Sequence, residues 1–95
     1  MIEIMSFRLV AGADEAAFIA ADRKVQTEFA YQQAGLLRRT TARSDDGGWI
    51  VIDLWRSQRD ADARDERWGH DQVTAEFISF IDAATVRTDR YATLD

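Results

Sequence analysis

The chain has 95 residues, 46% hydrophobic and 31% charged, a balance that describes one globular domain over residues 1–95 and excludes disordered and fibrous classes. Its net charge of -5 opposes general affinity for nucleic-acid phosphates. Without cysteine it has no disulfide, thiolate metal site or thiol nucleophile, and one histidine rules out a histidine-rich metal centre within the chain.

The opening stretch MIEIMSFRLV lacks the features of a signal peptide, and no segment reaches the roughly 18 apolar residues of a membrane span, so a cytoplasmic protein without a membrane partner is expected. Ile2 to Val10 alternates as a strand, with Met5, Phe7 and Leu9 on one face and Ile2, Ile4, Ser6, Arg8 and Val10 on the other. A helix follows from Asp14, its stripe formed by Phe18, Ala21, Val25 and Phe29, and Gly35 stops it. Leu36 to Ser44 and Trp49 to Trp55 flank SDDGG, a turn sequence that tolerates positive φ, and so predict an antiparallel hairpin.

In the second of these strands Ile50, Ile52 and Leu54 form a purely apolar face, read as core. Trp49, Val51, Asp53 and Trp55 form the other. Ser57 and Asp60 resemble a capping box that starts a helix near Gln58. Its first half, RSQRDADARDER, reads as a solvated mixed-charge face. After Gly69 the apolar spacing strengthens at Val73, Phe77, Phe80 and Ile81, which predicts a helix broken near Gly69. Val86, Tyr91 and Leu94 mark a last strand within Thr85 to Leu94.

The order βαββαβ is α+β and ferredoxin-like: a four-stranded antiparallel sheet with two helices on one face. The helices leave the other face bare, and the reading above puts Trp49, Val51 and Trp55 there. An apolar patch of that kind is expected to be covered by a second copy, giving a homodimeric α+β barrel. A domain this small buries only about 60 to 65% of its unfolded surface, which favours pairing as well.

The segment AGLLRRTTARSDDGGWIVIDLWRS, Ala34 to Ser57, resembles the middle of the antibiotic biosynthesis monooxygenase family. The likeness rests on Gly35 before the second strand, the Arg-rich hairpin, and Trp55-Arg56-Ser57 at the end of the third strand. It implies dimeric α+β barrels with a pocket between helices and sheet, and oxygenation of a small planar aromatic or quinol without metal, flavin or other cofactor. Such chemistry needs an enclosed cavity, a group that takes a phenolic proton and donors for the resulting oxyanion.

Two rivals stay open: a ligand-binding or dimerisation module of the same fold without catalysis, and a haem-binding or haem-degrading relative. The haem pattern has asparagine in the first strand, where Phe7 stands. It also has Trp and His about three turns apart, whereas Trp68 and His70 are separated by Gly69 alone.

His70 is the candidate catalytic base, because an ordinary pKa near 6.5 lets it change charge around neutral pH; its bland role is a polar cap at a helix junction. Trp68 either walls the cavity or anchors a polar half-helix that serves as a lid. Phe7, Phe29 and Phe77 line a substrate pocket or simply fill the core, Trp55 lines the pocket or packs at the dimer face, and Arg8 or one of the tyrosines orients substrate. Asp53 needs a cationic partner if buried, and Arg8, Arg38 and Arg39 are the candidates.

Overall fold

A computed structural model describes residues 1–95. The strands Ile2–Phe7 (β1), Leu36–Arg43 (β2), Trp49–Trp55 (β3) and Arg87–Tyr91 (β4) form one antiparallel sheet in the order β2-β3-β1-β4. That is the ferredoxin-like arrangement, with β2 and β4 at the edges. The hairpin turns at Gly47, whose φ of 88° is the left-handed value its sequence anticipates.

The first helix, Glu15–Lys24 (α1), is capped by Asp14, whose carboxylate accepts from the Ala17 N–H at 3.2 Å. It widens into a π-type turn over Val25–Phe29, tightens to a 3-10 turn over Ala30–Gln32, and the chain reverses at Gly35, φ 83°. Phe18, Ala21, Val25 and Phe29 are all buried along this run, as their spacing requires.

Beyond β3 the predicted broken helix is two helices, Gln58–Asp65 (α2) and Gln72–Ser79 (α3), separated by a bend in which Gly69 has φ 83°. Ser57 caps α2 by accepting from the Asp60 N–H, and α2 buries one residue, Ala61. Asp71 caps α3, accepting from the Thr74 N–H at 2.7 Å and the Thr74 hydroxyl at 2.6 Å. The cap predicted for His70 therefore belongs to its neighbour, because a carboxylate one position later meets the first free N–H groups of α3.

The sheet faces are the reverse of the reading from sequence. Trp49, Val51, Asp53 and Trp55 lie buried beneath the helices, while Ile50, Ile52 and Leu54 are only half-buried on the open face, opposite Ser6, Ile4 and Ile2. Both faces of β3 are apolar, so alternation separates them without saying which one meets the helices. Tryptophan volume decides it: Phe18 packs edge-on against Trp49 at 4.9 Å, and this contact builds the core together with Phe7, Val25, Val51, Phe77 and Ile81.

β1 ends at Phe7, and Leu9 makes an isolated bridge to Ile81. β4 is shorter than predicted; Val86 and Leu94 are exposed and flank it. No helix is long and apolar enough to cross a membrane.

Candidate active site

On the helix-covered face, strand pairing sets Glu3 of β1 beside Asp53 of β3 on one side and Arg90 of β4 on the other, with Arg39 of β2 opposite Asp53. Four charged residues thus run in one row across the sheet. Glu3, Asp53 and Arg39 are each buried to about 5% exposure, and the row needs internal compensation at that depth.

Helix α2 supplies it through Arg64. This guanidinium donates to Asp53 Oδ2 at 3.1 Å, to Glu3 Oε1, and to Asp65 Oδ1 at 2.9 Å, while lying over the Trp55 ring at 5.2 Å. Arg90 donates to Glu3 Oε2 at 2.8 Å, Asp62 at 2.6 Å and Asp65 at 2.9 Å. Arg39 is held on its far side by Asp22 at 2.8 Å and Gln26 at 3.0 Å, and Tyr31 accepts from its backbone N–H at 2.8 Å. The ion-pair partner of Asp53 thus comes from a helix, with Arg39 of the neighbouring strand acting at longer range, and one arginine of the supposedly solvated stretch has a side chain only 12% exposed.

This row floors a cavity of about 500 Å³ lined by Met5, Val51, Trp68, Val86 and Thr88 together with Glu3, Asp53, Asp65, Arg39, Arg64 and Arg90. Three carboxylates face three guanidiniums in that lining, so the cavity combines apolar walls with internally balanced charge. Burial pushes the Asp53 carboxyl above the usual carboxylate range, against the opposing pull of Arg64 and Arg39. Arg64 also feels burial, which works against its charge, yet the carboxylates of Glu3 and Asp53 outweigh it and raise its pKa. No group of three or more His, Asp or Glu side chains is arranged to hold a metal.

The residues singled out from sequence divide into three sets. Trp68 lines the cavity and also packs edge-on against Phe29 and Phe77, each at 5.7 Å, so it is both wall and anchor. Trp55 and Phe29 border a smaller void beneath the cavity, whereas Phe77 and Phe7 sit in the core, their rings 6.0 Å apart. Arg8 and His70 are exposed and away from the cavity: Arg8 pairs with Asp46 of the hairpin at 3.2 Å, and the His70 side chain makes no hydrogen bond.

Sequence reasoning missed Glu3, Arg64 and Arg90. For Glu3 a signal existed, an acid at the same alternation phase as Met5 and Phe7. For Arg64 there was none, because its burial depends on how α2 crosses the sheet.

No family model matches the sequence, and no curated protein matches it. Among solved structures, SnoaB, a cofactor-independent oxygenase from Streptomyces nogalater, is 16% identical with a TM-score of 0.75; the match covers 98% of this chain and 94% of that one. A Nitrosomonas europaea protein provisionally described as an antibiotic biosynthesis monooxygenase is 17% identical, with a TM-score of 0.72 over 99% and 98% of the two chains. Rv0793 from Mycobacterium tuberculosis is 16% identical, with a TM-score of 0.70 over 99% and 94%. At these identities the likeness establishes architecture: the chain has the α+β fold of the antibiotic biosynthesis monooxygenase-like proteins over almost its whole length.

Proposed function

We propose that this protein is a cofactor-independent monooxygenase acting on a small planar aromatic of the quinol or anthrone type, bound in the cavity that α2 and Trp68 form with the sheet. The observation that carries this reading is Asp53, a buried carboxyl with a raised pKa that lines the cavity beside two fixed guanidiniums. A carboxylate destabilised by burial is a stronger base than a solvated one and suits removal of a phenolic or enolic proton. Arg64 and Arg39 line the same cavity and offer positive charge to a substrate oxygen that becomes anionic, and their geometry is set in advance by Glu3 and Asp22.

The deprotonated ring then supplies electrons to dioxygen. One oxygen atom enters the ring as a carbonyl and the other leaves as water, so the substrate is the only reductant required. Trp68 and Met5 offer apolar surface for the ring, and Trp68 ties the α2–α3 bend to the core.

The likeness in fold to SnoaB supports the reaction class, and the half-buried Ile2, Ile4, Ile50, Ile52 and Leu54 on the open sheet face support a homodimer in which a second copy covers them. The decisive measurement is oxygen uptake with anthrone and hydroquinone substrates. Turnover that falls by about 10²-fold or more in Asp53→Asn supports the assignment. No uptake with any such substrate overturns it.

One observation favours a second reading. Asp53 and Glu3 already share Arg64, and a cavity with balanced charge also suits a binding module that holds a planar ligand unchanged. Quenching of tryptophan fluorescence by such ligands, without product, is its signature. The haem alternative has less support, since Phe7 lies in the core and His70 outside the cavity lining.

A further inference from the structure

Asp53 turns Oδ2 to Arg64, while its Oδ1 is buried and has no partner in the protein. Two residues along the same face of β3, the Nε1 of Trp55 is also buried without a partner, in a residue only 1% exposed. Both residues border the small void beneath the main cavity, about 10 Å³ in volume, which shares Arg39, Asp53, Arg64 and Trp68 with that cavity.

The chemistry of the two orphaned atoms is complementary but not self-satisfying. An indole N–H only donates and a carboxylate oxygen only accepts, yet no direct bond joins the two atoms. An occupant that joins them must accept from one and donate to the other. Arg64, stacked on the Trp55 ring, disfavours a cation there, and Asp53 disfavours an anion. Dioxygen has no hydrogen to donate. A space of about 10 to 15 Å³ suits a single water.

We propose that this void is a specific site for one buried water, which accepts from Trp55 Nε1–H and donates to Asp53 Oδ1, making Trp55 a positioning residue for the Asp53 carboxylate. The water fixes the carboxylate's rotation, with Oδ2 kept toward Arg64. Its hydrogen bond favours the ionised form and so opposes the effect of burial. The other charged groups facing Asp53 are Glu3 from β1, Arg39 from β2 and Arg64 from α2; Trp55→Phe leaves all three in place. The role of Trp55 matters for turnover only if Asp53 is the base, but the water site stands independently of that reading.

Two measurements test the site. In the wild-type protein, NMR should show a through-space contact between the Trp55 indole proton and a long-lived water. Absence of that contact overturns the proposal, and this measurement needs no variant. In Trp55→Phe, which keeps an aromatic ring but removes the indole N–H, the Asp53 carboxyl carbon should titrate at higher pH than in the wild type, while Trp49→Phe, outside the void, leaves it unmoved. An unchanged Asp53 titration in folded Trp55→Phe overturns the positioning role. Failure of oxygen uptake would refute the oxygenase and leave both results standing, so the two ideas fail separately.

Discussion

Replacing Arg64 by methionine keeps a long side chain over the Trp55 ring while removing the charge that holds Glu3 and Asp53 in the interior. Glu3 retains Arg90 at 2.8 Å, but Asp53 loses its only hydrogen bond from a cation and keeps just the longer-range field of Arg39. Removing one member of a buried ion pair costs about 3 to 5 kcal/mol, because the remaining charge is left without compensation. Against the usual stability of about 5 to 15 kcal/mol this is a large fraction.

With urea m-values of about 1 to 3 kcal/mol per M, a 3 kcal/mol loss lowers the unfolding midpoint by about 1 to 3 M. The sign with pH is fixed by Asp53. Its folded pKa lies above the unfolded value, so the native state binds more protons and stability falls as pH rises through the folded pKa. In Arg64→Met the folded pKa rises further, and the variant should recover part of its loss as pH falls from 7 toward that pKa. Adding Asp53→Asn to Arg64→Met should also restore stability at pH 7. Urea melts at fixed protein concentration measure all of this. A loss below about 1 kcal/mol at pH 7, or no recovery with Asp53→Asn, would refute the buried-network argument.

Other substitutions separate the remaining parts of the structure. Asp71→Ala removes the α3 cap and should cost about 1 kcal/mol in a thermal or urea melt at neutral pH. Hydrogen bonds from the Thr74 hydroxyl and backbone N–H hold the Asp71 carboxyl below the usual range; its contribution is therefore present above the unfolded pKa, near 3.9, and lost as pH falls through the lower folded value. The gap between wild type and Asp71→Ala should close in acid. Ile52→Asp places a charge at the centre of the open sheet face and should convert a dimer to monomers in analytical ultracentrifugation, with a wild type that sediments as a monomer refuting the paired-sheet proposal. His70→Ala should leave oxygen uptake within about twofold and stability within about 0.5 kcal/mol, since the side chain is exposed and makes no hydrogen bond; a large drop in rate would return His70 to the role of base.

Local patterning in the sequence determined the order βαββαβ, the hairpin at SDDGG, the helix start at Asp14, the cap at Ser57 and the break at Gly69. These features depend on spacing of 2 or 3.6 residues and on which residues tolerate positive φ, all properties of a few consecutive positions. The fold was therefore legible without coordinates. Trp68 was legible too, as the one large apolar residue in a charged stretch.

Tertiary structure alone decided which face of β3 is inside. Alternation is symmetric, and choosing between Ile50-Ile52-Leu54 and Trp49-Val51-Trp55 requires knowing what α1 and α3 bring to the sheet. That choice carried the site with it, since turning the tryptophan face inward turns Asp53 inward as well. A charge in that position is tolerable only if a cation from elsewhere in the chain meets it. Glu3, Asp53 and Arg64 lie up to 61 residues apart in sequence, and the side chain that completes them belongs to a helix whose own pattern is that of a solvated surface. Sequence spacing reports what neighbouring residues share, whereas compensation of buried charge depends on which distant elements cross, and so the cavity and its proposed base became visible only in the folded chain.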